Sequence, residues 1–244
     1  MKKKPVIIAC IVITLLLGLC GVGTSLTLGY FGIIPSISRM LKTDQPRDLG
    51  ISITEEAREY NLKVLGETTQ YTSEGIDTDI QYIGKTDRNI TLTSEQLTTL
   101  ANDVNWKYDP ISNLQIKLSD DGKVEGSGML HVDKIREYVS KTGGDVKMVN
   151  EVIEKFNLSG RSFPFYVQLT ISADNNVVQW EAQKVEVGRI GIPISSIEPY
   201  KDVIDEVISN KLQTIPNLYI EKIEIGENSG TFIGTTPEYQ IIHK

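Results

Sequence analysis

The chain has 244 residues, a formal net charge of −7 at pH 7 and a sequence pI near 5.0. Outside Lys2-Lys3-Lys4 there is no Lys/Arg cluster, which argues against a nucleic-acid partner and against docking on anionic lipid by charge alone. Both cysteines, Cys10 and Cys20, sit in one apolar run, so the rest of the chain has neither a disulfide framework nor a cysteine zinc site.

That run, residues 5–35, holds no Asp, Glu, Lys or Arg, and 6–19 is almost wholly aliphatic. A helix needs roughly 20 such residues to cross a bilayer. The sequence therefore predicts a single-pass transmembrane anchor, with Tyr30 and Phe31 at the headgroup level and the lysines holding the N-terminus in the cytoplasm. Two processing signals compete with a retained signal-anchor. A cleaved secretory signal usually has a shorter apolar core. A lipoprotein signal would want a small residue before Cys20, where this chain has Leu19. Gly21, Ser25 and Gly29 lie four apart, the spacing at which small residues let two membrane helices approach, so a homodimer through this face is a candidate. Residues 36–50, with Pro46 as a breaker, read as a juxtamembrane connector, and 51–244 as an extracytoplasmic domain.

In that domain Ser52-Ile53-Thr54-Glu55 has capping-box spacing and predicts a helix to Leu65. Strand character follows at 77–83 and 89–92. Thr93-Ser94-Glu95-Gln96 is a second capping box, opening a helix with Leu97, Leu100, Ala101 and Val104 on one face. Leu114, Ile116 and Leu118 alternate with polar residues into Asp120-Asp121-Gly122, a hairpin turn, and the return strand carries Gly126 and Gly128 on one face. Two short helices are predicted next. Val132, Ile135, Tyr138 and Val139 line the first; Val146, Val149, Val152, Ile153 and Phe156 line the second. The strongest strand alternates Phe163, Phe165, Val167, Leu169 and Ile171 with Pro164, Tyr166, Gln168 and Thr170, and turns at Asp174-Asn175-Asn176. Its partner changes phase between Ala182 and Val185, which predicts a bulge or a strand that rolls from one face to the other. A helix over about 196–212 and a last hairpin complete the order. Lys184-Val185-Glu186-Val187-Gly188 is echoed by Lys222-Ile223-Glu224-Ile225-Gly226, read as two strands of one sheet. The expected class is α+β: an N-terminal transmembrane helix, then a curved, mainly antiparallel sheet with packed helices.

A search for chemistry returns little. His131 and His243 are the two histidines; a catalytic imidazole needs an orienting partner, and His131 reads as structural or surface. Gly126-Ser127-Gly128 lacks the spacing of a nucleophile elbow, and no metal motif, Walker A or dinucleotide fingerprint occurs. No catalytic residue, metal site or cofactor is expected. The candidate ligand-binding residues are apolar: Phe163, Phe165, Val167, Leu169, Trp180, Val203 and Val207, which would line an elongated cavity between sheet and helix.

The segments 91–97, 111–128, 184–193 and 220–226 occur in a succession that resembles the membrane-anchored YpmS-like bacterial proteins. More distantly it is similar to the LmeA-like phospholipid-binding proteins and TULIP-type lipid carriers. The resemblance covers roughly residues 90–235 and carries no residue roles with it. It implies an extracytoplasmic domain that handles lipid. The expected function is a membrane-anchored binding module for lipid or another apolar envelope molecule. An anchored scaffold of envelope assembly is the alternative, and an envelope hydrolase comes third.

Overall fold

The computed structural model describes residues 44–72, 80–103, 106–141, 146–147, 150, 162–188, 190–198 and 201–243. The helices are α1 (Glu55–Leu65), α2 (Ser94–Asp103), α3 (Val132–Lys141) and α4 (Lys201–Thr214). The strands are β1 (Thr69–Thr72), β2 (Gln81–Ile83), β3 (Thr86–Thr93), β4 (Ile111–Ser119), β5 (Lys123–His131), β6 (Ser162–Asp174), β7 (Val177–Val187), β8 (Ile190–Ile192), β9 (Tyr219–Gly226), β10 (Ser229–Thr236) and β11 (Tyr239–His243).

An eight-stranded sheet runs β3-β10-β9-β6-β5-β4, with β7 also on β6 and β8 on β7. Every pairing in it is antiparallel. A smaller sheet, β1-β11-β2, contains a parallel pair, β1 with β11. Long β6 organises the large sheet. It pairs β5 from Ser162 to Thr170, β7 from Phe165 to Asp174, and at its end reaches β9 through Ala173 and Asp174. The tight turns fall at left-handed pairs, Asp121-Gly122 (φ 62 and 74) and Asn175-Asn176 (φ 48 and 64), which match the right-handed twist of the flanking strands. The predicted bulge lies in β7: Gln168 faces Lys184 while Leu169 faces Ala182, so Gln183 is the extra residue. The echoed segments both join β6, with Lys184 opposite Gln168 and Lys222 opposite Asp174. In each, the lysine bonds the glutamate two residues on, its neighbour on the same strand face.

The α+β expectation is corrected. The described structure is predominantly β-sheet with a few short helices, and none of those helices is long and apolar enough to cross a membrane. The segment read as a transmembrane helix, 5–35, lies outside the described residues, as does most of the expected second helix after 145. The physical reason is visible in α2. Its apolar residues do not form a layer against the sheet: Leu97, Leu100 and Ala101 are partly exposed, and the deeply buried positions are Ser94, Thr98 and Thr99. A helix advances ~6.0 Å in four residues, close to the ~6.8 Å of two strand residues. Ser94, Thr98 and Asn102 therefore run down the edge of β4 as a polar ladder. Ser94 Oγ accepts from Leu118 N at 2.9 Å. Thr98 Oγ1 accepts from Ile116 N at 2.9 Å and donates to Ile116 O at 3.2 Å. Asn102 accepts from Leu114 N at 3.2 Å and donates to Leu114 O at 2.7 Å. The helix stands in for a missing strand and covers an edge that would otherwise invite pairing with another chain. The second capping box is complete, Gln96 Oε1 accepting from Thr93 N and Thr93 Oγ1 from Gln96 N. The first is displaced: Thr54, not Ser52, caps α1, accepting from Ala57 N at 3.1 Å.

Candidate functional site

Alternation along β6 gives the sheet two unlike faces. On one, Phe163, Phe165, Val167, Leu169 and Ile171 join Val178, Trp180, Ala182, Val185 and Val187 of β7 through the β6–β7 register. Phe163, Val185 and Val187 are buried, whereas Phe165, Val167, Leu169, Ile171 and Trp180 keep part of their surface exposed. The β5 glycines shape this stripe. Gly128 and Gly126 stand directly opposite Phe165 and Val167. A Cβ on Gly128 would lie 3.1 Å from Phe165 Cε1, and one on Gly126 3.2 Å from Val167 Cγ1. Phe165 and Val167 lie down over the two glycines and fill the space that side chains there would take.

Trp180 is held at the end of the stripe. Its indole N–H donates to Asp205 Oδ1 at 2.6 Å, and Lys201 Nζ sits 4.3 Å from the ring centroid. Both partners come from α4, so α4 closes this end of the face. Val203 and Val207 belong to α4, but their side chains are outside the described set. Ile171, directly opposite Trp180 in the register, opens at this same end into a cleft of about 550 Å³ whose walls include Gly122, Ile223, Ile225, Gly226 and Ser229. Leu118 and Ile225 approach each other across Gly230 there, so β4 curls toward the β9–β10 hairpin. Phe163, Phe165, Val167, Leu169 and Trp180 are thus brought onto one surface. Gly21, Ser25 and Gly29 lie outside the described residues.

The reverse face is polar and holds the segment 44–50. Arg47 makes a two-point contact with Glu186, Nε to Oε2 at 2.8 Å and Nη2 to Oε1 at 2.7 Å. Glu186 is only 6% exposed at its side chain, and Lys184 Nζ adds a third contact at 3.0 Å. The Arg47 guanidinium also lies 4.5 Å over the Tyr166 ring. The Tyr166 hydroxyl donates to Glu125 Oε2 at 2.6 Å. Burial, then that bond to a carboxylate, push the Tyr166 phenol well above its usual range. Leu49 N donates to Gln115 Oε1 at 2.7 Å, a second tie between connector and sheet. None of these partners was visible in the sequence, where Arg47 and Glu186 are 139 positions apart.

The same face carries His131 at the far end of β5. Ser112 Oγ is 2.7 Å from its Nε2 and Ser162 Oγ 2.9 Å from its Nδ1. The partner missing from the sequence reading is therefore present, supplied by β4 and β6. Asp109 lies nearby: burial raises its carboxyl pKa, opposed by the Ile111 N–H it accepts and by the charges of Lys134 and His131. Tyr138, edge-on to Trp106, is pushed up to about 12 by burial first and then by the charges of Asp109 and Tyr82. Among the described residues no group of three or more His, Cys, Asp or Glu is arranged to hold a metal ion.

Fold and site together define a class: a mostly antiparallel β protein whose sheet is apolar on one side and charged on the other. The chain matches no family model, no curated protein and no solved structure.

Proposed function

We propose that the protein is a membrane-tethered binding module that holds lipid, or another apolar envelope molecule, on the apolar face of its sheet. The observation that carries this reading is the partly exposed stripe of Phe165, Val167, Leu169, Ile171 and Trp180. Large apolar side chains left in water on one continuous surface cost ~25 cal/mol per Å² that an apolar ligand would recover. The stretch from Phe163 to Ile171 spans roughly 27 Å at ~3.4 Å per residue, ample for an acyl chain of one leaflet, ~15 Å. The uncharged run 5–35 supports the tether and Lys2-Lys3-Lys4 an extracytoplasmic domain. The YpmS-like resemblance agrees with both.

Trp180 is the natural reporter, since Trp106 is the one other tryptophan. Full-length Trp106→Phe protein in detergent is mixed with phospholipid carrying brominated acyl chains, and its fluorescence is followed. Saturable quenching is expected, together with phospholipid copurifying in native mass spectrometry. Unquenched Trp180 and a lipid-free protein would sink the proposal.

A further inference from the structure

We infer that Ser112, His131 and Ser162 form a serine acyl-transfer site with a carboxylic ester as its substrate class. Nucleophile and base within hydrogen-bond reach, with the base oriented by a third group, is the signature of an activated serine on any fold. Ser112 Oγ to His131 Nε2 is 2.7 Å, and His131 Nδ1 to Ser162 Oγ is 2.9 Å. His131 and Ser162 are direct cross-strand partners, and His131 N also donates to Pro110 O at 2.7 Å, so both ring and backbone of the histidine are fixed.

A second observation is independent of those distances. The β4–β5 register breaks between Ser112 and Gln115, and Asn113 sits in the left-handed region at φ 52. Bulges re-aim side chains, and backbone strain concentrates where function over-determines the geometry. Gly128 is part of this arrangement: a Cβ there would lie 3.2 Å from Ser112 O, so its absence lets the bulged backbone come close. A nucleophile just before a strained residue has the logic of a nucleophile elbow, in which the following amide serves the oxyanion. In the bulge, Leu114 N and O are taken by Asn102, and Asn113 falls outside the ladder. The Asn113 N–H is the donor assigned to the oxyanion. His131 and Ser112 are partly exposed and Ser162 is exposed, so the site opens to solvent.

The chemistry balances. The Nδ1–H of His131 donates to Ser162 Oγ, which leaves Nε2 free to take the Ser112 hydroxyl proton. Ser112 Oγ then bonds to the ester carbonyl carbon. The C–O bond to the alcohol breaks, and His131 returns the proton to that alcohol. Water, deprotonated by His131, cleaves the acyl-serine to the acid and restores Ser112. Ser112 and His131 are the catalytic residues; Ser162 is a positioning residue.

The test uses the full-length protein in detergent, a fluorophosphonate probe and p-nitrophenyl acetate. The probe is expected on Ser112 by peptide mapping, with no label in Ser112→Ala. His131→Gln should slow labelling about 100-fold, the scale of a lost general base. Ser162→Ala should lower kcat for the ester without moving KM, and Ser162→Thr should restore it. A merely structural hydroxyl would not give that split. Peptide mapping of the unaltered protein decides even where a variant fails to fold. An unlabelled Ser112, or equal labelling in a folded His131→Gln variant, overturns the assignment. The outcome is independent of lipid quenching at Trp180, which reports the opposite face.

Discussion

Replacing Arg47 with alanine isolates the contact between the segment 44–50 and the sheet. Glu186 is 6% exposed at its side chain and Arg47 33%, with Lys184 at 3.0 Å as the remaining cation. Removing one member of a fully buried ion pair costs about 3–5 kcal/mol, because the other charge stays desolvated. Here Arg47 is one-third exposed and Lys184 still neutralises part of Glu186, so the low end applies. Loss of the stacking on Tyr166 adds about 0.5–1 kcal/mol. The expected cost is about 3–4 kcal/mol, which for a chain of this size lowers Tm by roughly 6–16 °C. The assay is thermal and urea unfolding of the full-length protein in detergent, followed by circular dichroism. Arg47→Ala combined with Glu186→Gln supplies the control. The neutral amide needs no cation, so the double variant should regain more than half of the loss. A single variant within 0.5 kcal/mol of the parent, or a double variant no better than the single, would refute the account of Glu186 as a buried charge that depends on the connector.

Thr98→Val removes both bonds to Ile116 and leaves its N–H and C=O without their partner, which should cost about 2 kcal/mol. Amide exchange at Ile116 measures it directly and should accelerate more than exchange in β6. Gly128→Val should cost about 1–3 kcal/mol in urea unfolding, since its Cβ meets the Phe165 ring at 3.1–3.2 Å and Ser112 O at 3.2 Å; a neutral result would mean that Phe165 does not lie over the glycine. Tyr138 contributes a pH dependence. Its folded pKa of about 12 lies above the ordinary 10.0, so its contribution is complete below pH 10 and is lost as pH rises through 12. The loss is on the order of 2–3 kcal/mol, and Tyr138→Phe should flatten the stability profile between pH 10 and 12.

What could be read from the sequence was local. Alternation in 163–171 identified β6, the phase change between Ala182 and Val185 located the bulge, and Thr93 with Gln96 identified the start of α2. These signals depend on neighbours within a few residues. The ladder of Ser94, Thr98 and Asn102 was present in the sequence at helical spacing, yet a polar stripe ordinarily faces water, and its partners lie 12 to 24 positions further along. Arg47 reads as part of a connector because nothing nearby in the sequence marks Glu186 as its partner. His131 read as inert for the same reason: Ser112 and Ser162 are 19 and 31 positions away and become neighbours only through strand register. The α+β expectation failed on a related point. Amphipathic helix patterns imply a helical layer, but α2 spends its buried face on a strand edge.

The two faces of β6 are specified by one register. Phe165 stands opposite Gly128 and Val187, while Tyr166, one residue on, stands opposite Ser127 and Glu186. A slip of β6 by one residue against its neighbours would exchange every side chain between the faces. If Phe165 took the place of Tyr166 it would meet the carboxylate of Glu186 in place of the flat glycine surface, and Tyr166 would come opposite Gly126 and Val185, its hydroxyl parted from Glu125 and its ring from Arg47. Each mismatch costs kilocalories: an uncompensated buried carboxylate, a buried phenol without its acceptor, an aromatic ring without its slot. The charged network and the apolar stripe thus exclude the same alternative register from opposite sides. That is why glycines at 126 and 128 and the Lys184–Glu186 pair can be read as parts of one solution. A ligand on the stripe and the connector on the reverse face would be separated by a single strand whose placement neither can alter.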